Sequence, residues 1–299
     1  MNIECLRTPD EAFNNLPGFP YEPNYLDSLN GYEGLRAHYL DEGDPGAKHT
    51  FLCLHGEPTW CYLYRKMIPV FLESGARVVA PDFLGFGRSD KPVDDAVYTF
   101  DFHRNYLKAI VKALDLNNIT LVCQDWGGIL GLTLPHEYPQ RFKRMIVMNT
   151  TLATGKNPGK GFLQWKAYAA ANPDLDVVGL MRRSTPVLSD EEARAYGVPF
   201  PGQEYKAGVR RFPELVMVDP AMDGVETSKK AVEFFNNSWD GECFIAVGAA
   251  DPVLGVPAME NLRNNIRACS ELMIIEEGGH FVQEWGEAIA RAALDYFAD

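Results

Sequence analysis

A chain of 299 residues can hold one large core or two domains, and 46% hydrophobic with 23% charged residues is ordinary for a globular protein that folds unaided. The formal net charge of −13 speaks against a nucleic-acid surface or an anionic membrane as partner, because either needs a basic patch that the chain does not display. Residues 1–13 carry acidic residues and lack the basic start and apolar core of a secretory signal. No later stretch has the uninterrupted apolar length of a spanning helix, so a cytoplasmic location is expected. None of the six cysteines has metal-type spacing, and Cys53, Cys123 and Cys243 lie in apolar strand-like runs, where a thiol behaves as a small buried hydrophobe. All six are read as reduced.

In chain order, residues 35–42 and 50–54 are strand-like, and the second run ends in His55-Gly56-Glu57-Pro58. Residues 62–73 read as a helix. Residues 77–81 read as a short buried strand that empties into Asp82-Phe83-Leu84-Gly85-Phe86-Gly87-Arg88-Ser89-Asp90, whose glycines predict a tight surface loop. Residues 100–114 have helical periodicity.

The next stretch, Ile119-Thr120-Leu121-Val122-Cys123-Gln124-Asp125-Trp126-Gly127-Gly128, is an apolar β-branched run that ends abruptly on a charge. A strand followed by a sharp turn, with small residues around one reactive side chain, is the nucleophile-elbow pattern. Serine is the usual occupant; here it is Asp125. Cys123 and Gly127 sit two before and two after it, where bulk would collide with neighbouring backbone. Residues 128–137 stay apolar up to Pro135, so the strand should run into a helix whose first turn keeps the carboxylate ionised. Taken alone, an Asp before a helix is more often an N-cap than a nucleophile, and both readings stand at this point.

Residues 144–148 are again strand-like, and the alternation of strand and helix implies a parallel sheet with helices on both faces. After Asn149 the alternation stops. Residues 152–225 carry helical stretches (162–171, 189–196 and 205–211) separated by Pro173, Pro186, Pro199, Pro201 and Pro213, without a convincing strand. Strand signals return at residues 243–248 and 272–276, and a closing helix is expected over 282–297. The expectation is an α/β core, residues 1–151 and 226–299, with a mostly parallel sheet flanked by helices. A helical cap, residues 152–225, is inserted after the sixth strand, where it can cover the crevice at the strand ends.

An aspartate nucleophile needs a partner that activates water. Of six histidines, His280 stands in Gly278-Gly279-His280-Phe281 just past the final strand, where two glycines allow close approach to another backbone. His38, His49, His103 and His136 lack such a setting and read as structural. Asp251, in the loop after residues 243–248 and before Pro252, is the candidate to orient His280, with a turn role as its alternative. Nucleophile, acid, histidine is the chain order of the α/β-hydrolase fold.

The combination of His55-Gly56-Glu57-Pro58, Gln124-Asp125-Trp126-Gly127-Gly128 and Gly278-Gly279-His280-Phe281 resembles the haloalkane dehalogenases. The resemblance extends through Tyr64-Arg65-Lys66-Met67-Ile68-Pro69 and Gly85-Phe86-Gly87-Arg88-Ser89-Asp90-Lys91-Pro92, and is weakest in the cap. It implies hydrolysis of a carbon–halogen bond of a small halogenated alkane, with halide as product and no metal or organic cofactor. Asp125 would displace halide to give an alkyl ester, and His280, held by Asp251, would deprotonate the water that hydrolyses it. The backbone N–H groups of Glu57 and Trp126 would meet the oxyanion.

The departing halide needs donors, and the Trp126 indole N–H can only donate. One branch of the family places the second donor on an asparagine after His-Gly, another on a cap tryptophan. This chain has Glu57 in the asparagine position, which when ionised only accepts, so the resemblance implies Trp165 of the cap. The branch in which the orienting acid follows the sixth strand is likewise set aside by the resemblance, because Asn149 takes that place and Asp251 is left for the role. Phe162, Ile129 and Leu254 are expected in the pocket wall, and a monomer is expected rather than an oligomer.

An epoxide hydrolase shares the Asp-His-Asp mechanism but needs acids for the opening ring, for which Tyr168, Tyr196 and Tyr205 are available in the cap. The paired Trp126 and Trp165 favour halide. A fluoroacetate dehalogenase would carry arginine after the nucleophile, and a serine esterase needs serine at the elbow. A non-catalytic receptor or a cofactor-free luciferase on the same fold are the readings from other classes.

Overall fold

A computed structural model describes residues 3–298. Eight runs form one sheet: β1 (Asn24–Leu26), β2 (Ala37–Glu42), β3 (Thr50–Leu54), β4 (Arg77–Pro81), β5 (Ile119–Gln124), β6 (Phe142–Met148), β7 (Glu242–Gly248) and β8 (Cys269–Ile275). Their order in space is β1-β2-β4-β3-β5-β6-β7-β8. β2 runs antiparallel to both neighbours and every other pair is parallel. β3 and β5 are buried at every position, as strands in the middle of a sheet covered on both faces must be.

The described residues also form ten α-helices: α1 (Ile68–Glu73), α2 (Phe100–Ala113), α3 (Trp126–Gly131), α4 (Lys160–Ala171), α5 (Val177–Ser184), α6 (Asp190–Gly197), α7 (Ala207–Leu215), α8 (Val225–Asn237), α9 (Val256–Arg263) and α10 (Gly286–Ala298). α1 packs against α10, and α2 against α3. In α2 the Thr99 hydroxyl accepts the Phe102 N–H at 3.0 Å, and Phe100, His103, Tyr106, Leu107, Ile110 and Val111 form the buried stripe. Each large apolar side chain removed from water contributes about 2 kcal/mol. Packing rather than intrinsic propensity therefore holds the helix.

The helix expected over residues 62–73 is split into a 3-10 turn, Cys61–Tyr64, and α1, because Pro69 fits only the first turn of a helix. The closing helix likewise begins as a 3-10 turn, Val282–Trp285. α3 ends at Gly131, well short of residue 137. The segment 82–90 is wholly buried rather than a surface loop. Asp82 satisfies it from within, its carboxylate accepting the N–H groups of Cys61 at 2.8 Å and Arg88 at 2.9 Å while lying 2.6 Å from His38 Nδ1. His38, Cys61 and Asp82 place their ligand-type atoms within 4.8 Å of one another, but with those partners taken the cluster is an internal hydrogen-bonded hub.

Between β6 and β7 lie helices and no strand, as expected, including α5, which the sequence reading did not find. α6 starts with a capping box in which Ser189 and Glu192 exchange side-chain and backbone hydrogen bonds.

Candidate active site

Because β3, β5, β6, β7 and β8 run parallel, the residues that follow them gather at one edge of the sheet. Glu57, Asp125, Asn149, Asp251 and His280 come after these five strands in that order. Asp125 takes φ +49° and ψ −124°, a conformation a non-glycine residue keeps only where its surroundings impose it. Its N–H donates to Asn149 O at 3.0 Å, and its carbonyl accepts Thr150 Oγ1 at 2.7 Å and the N–H of Gly128 and Ile129 at 2.9 Å. A Cβ on Gly127 would stand 1.9 Å from the Leu54 carbonyl oxygen, and one on Gly56 would stand 2.4 Å from Asp125 Oδ2. Only glycine fits either place.

Asp125 occupies the N-cap position of α3, yet its side chain caps nothing. Oδ2 accepts the Glu57 N–H at 2.8 Å, and Oδ1 lies 3.7 Å from His280 Nε2. The geometry rejects the N-cap reading. His280 Nδ1 lies 2.8 Å from Asp251 Oδ2, while Asp251 Oδ1 accepts the Val253 N–H at 2.8 Å. The three side chains expected from separate motifs are thus in one chain of contacts.

Burial would pull the His280 imidazolium pKa down, but the carboxylate of Asp251, its hydrogen bond and the charge of Asp125 outweigh it and lift the pKa to about 9. Burial likewise works against an ionised Asp251, and the imidazolium, the Val253 N–H and Asn149 bring its carboxyl to about 2. For Asp125 burial wins: the carboxyl rises above the ordinary range despite His280 and the backbone N–H groups of Trp126 and Glu57. Those N–H groups favour the ionised form, as the sequence reading expected of the helix start, but they do not cancel desolvation.

A cavity of about 860 Å³ opens on these groups. Asp125, His280, Asp251, Glu57, Trp126 and Trp165 line it, and so do Phe162, Ile129 and Leu254. The Trp126 ring packs on Phe212 with centroids 4.7 Å apart, and Trp165 lies 6.0 Å from Tyr168. Trp60 donates its indole N–H to Ala195 O at 3.1 Å, whereas among the described residues nothing accepts from Trp126 or Trp165, leaving two donors at the cavity.

Sequence reasoning missed the bridging role of Asn149. Its carbonyl accepts from Asp125, its Oδ1 accepts the Gly248 N–H at 2.9 Å, and its Nδ2 donates to Asp251 Oδ2 at 3.0 Å. The available signal was its place directly after β6, at the same edge as the other groups. Gln124 Nε2 also donates to the His280 carbonyl at 3.0 Å, tying β5 to the histidine loop. His55 steadies the turn that carries Glu57: Nε2 accepts the Phe83 N–H at 3.0 Å, which leaves Nδ1 to donate to Gly56 O at 2.9 Å.

Residues 49–287 match the family model described as alpha/beta hydrolase fold. A haloalkane dehalogenase of Psychrobacter cryohalolentis is 42% identical over 99% of both chains, and one of Mycolicibacterium paratuberculosis is 38% identical over 94% of both. The solved structure of haloalkane dehalogenase DpaA from Paraglaciecola agarilytica, described as tetrameric, superposes with a TM-score of 0.97 at 53% identity, covering 98% of each chain. With this elbow, this cavity and full-length relatives at these identities, the chain belongs to the haloalkane dehalogenases of the α/β-hydrolase fold.

Proposed function

We propose that the protein hydrolyses the carbon–halogen bond of haloalkanes to a primary alcohol, halide and a proton, through an ester on Asp125. The observation that carries this reading is an aspartate carboxylate that caps no helix and faces a histidine across a cavity with two unpartnered indole N–H groups. Asp125 attacks the halogen-bearing carbon, a carbon–oxygen bond forms as the carbon–halogen bond breaks, and the halide takes the bonding pair. Trp126 and Trp165 donate to it. Ester formation removes the Asp125 charge that helps to hold His280 protonated, so the imidazolium gives its proton to solvent and the neutral imidazole takes one from water, returning it to the alcohol as the ester's carbon–oxygen bond breaks. The N–H groups of Glu57 and Trp126 receive the oxyanion, and Asp251 stabilises the imidazolium. These steps call on no metal or organic cofactor.

An epoxide hydrolase needs acids at the cavity. Tyr168 lines it, but Tyr205 does not, and Tyr196 is buried and donates to Glu284. We take residues 152–225 as the cap over a core of residues 1–151 and 226–299, because residues of both groups line the cavity. The tetramer described for the Paraglaciecola relative weighs against the monomer expected from sequence, and an oligomer is the proposed assembly. No helix among the described residues is long and apolar enough to cross a membrane, and a cytoplasmic location remains part of the proposal.

The test is halide release from terminal bromoalkanes of increasing length, with one proton liberated per bromide. Opening of styrene oxide with every bromoalkane untouched would transfer the assignment to the epoxide hydrolases. Light scattering on the purified 33.4 kDa chain reads the subunit number.

A further inference from the structure

We propose that Glu57 is carried as a neutral carboxylic acid whose O–H donates into the cavity, to the halide once it is there. The inference rests on the reading above only for the identity of that anion. Glu57 is 5% exposed and lines the cavity beside Asp125, Trp126 and Trp165. Its backbone N–H touches Asp125 Oδ2 at 2.8 Å, so its side chain starts next to the nucleophile. Among the described residues neither carboxyl oxygen has a hydrogen-bond partner, and Oε1 is fully buried. Nor, among the described residues, does a Lys, Arg or His side chain form an ion pair with it.

An ionised Glu57 would be an uncompensated buried charge beside a second carboxylate, the arrangement proteins avoid by taking up a proton. Burial first, and then the Asp125 charge, push its carboxyl well above the ordinary range. A carboxylic acid has one O–H, and with no protein acceptor it can donate only to what the cavity holds. The sequence reading treated Glu57 as an acceptor and left halide binding to the two indoles. The buried, unpaired side chain turns it into a third donor.

The titratable groups that line the cavity with it are Asp125, Asp251, His280, Tyr168, Lys156 and Lys229. As pH rises, an ionising Glu57 and the loss of the His280 proton at about 9 both weaken an anion's hold. Glu57→Gln keeps a donor and cannot ionise, so its bromide affinity, read by tryptophan quenching, should lose the Glu57 step and keep only that of His280. Glu57→Leu removes the donor and should weaken bromide at neutral pH by about tenfold to a hundredfold, the size of one hydrogen bond to a charged group.

The decisive measurement is infrared difference spectroscopy of wild type against Glu57→Gln at neutral pH, which should show the carbonyl stretch of a protonated acid in wild type alone. Absence of that band overturns the neutral acid, and unchanged bromide affinity in Glu57→Leu overturns donation to the anion. Neither readout needs turnover. A protein that shows the band and binds bromide but releases none from bromoalkanes would sink the proposed function and leave this inference standing.

Discussion

Asn149 donates from Nδ2 to Asp251 Oδ2 at 3.0 Å, on the same oxygen that lies 2.8 Å from His280 Nδ1. Since the Asn149 carbonyl also accepts the Asp125 N–H, this one residue sets the spacing between nucleophile and orienting acid. Asn149→Leu should raise the Asp251 carboxyl from about 2, because a donor to the anion is lost. The loss, about 1.5–3 kcal/mol for a hydrogen bond to a charged group, divides between folding and ester hydrolysis. Denaturant unfolding and single-turnover decay of the ester measure the two shares. Decay at the wild-type rate would mean that the Val253 N–H and His280 hold Asp251 unaided.

Trp165 lies on α4 at the cavity, with an indole N–H that no described residue accepts. Trp165→Phe keeps the ring and removes the donor. Bromide affinity and bromide-induced tryptophan quenching should both fall, affinity by about tenfold to a hundredfold. Unaltered binding would take Trp165 out of halide recognition and leave that role to Trp126 and Glu57.

The catalytic side of the fold was legible because its signals are local. β5 is apolar throughout, the elbow needs small neighbours within two residues, and the histidine loop announces itself by paired glycines. What escaped was decided in three dimensions. α5 contains Val177, Val178 and Gly179, weak helix formers held by the Asp176 cap and by packing of Val177 and Met181. Strands Cys5–Leu6 and Asn24–Leu26 are too short for any periodicity and exist only through their partners. Glu57 read as a charge because a sequence shows a carboxyl group but not its burial, and Asn149 read as a mere vacancy for an acid because its three partners come from distant segments.

Arg65 joins the cap to the loop behind His280. Its guanidinium donates to both oxygens of Glu284 at 2.7 Å and to Glu192 of α6 at 2.8 Å, with Arg65 and Glu284 almost fully buried. Arg65→Met should cost about 3 kcal/mol, the low end for breaking a buried pair, because Lys66 Nζ at 2.9 Å still faces Glu284. Adding Glu284→Gln should cost less than the sum of the two single changes. Urea unfolding of the three variants tests this. Full additivity would deny the coupling.

The His280 pKa links the two halves of the proposed reaction. In the resting protein two carboxylates hold the imidazolium, and the pKa stands at about 9. Its folded-state pKa is above the unfolded one, so the stabilisation is complete below the ordinary histidine range and is lost as pH rises through about 9. Asp125→Asn mimics the ester by removing one of the two charges while keeping the shape. The His280 pKa should then fall, measurable on the ring protons by NMR, and the decline in stability between neutral pH and about 9 should shrink with it. His280→Gln should leave the first displacement intact and accumulate the ester, visible as a mass increase equal to the alkyl group. A His280 pKa unmoved by Asp125→Asn would mean that alkylation does not switch the imidazole from cation to base, and water activation would need another source.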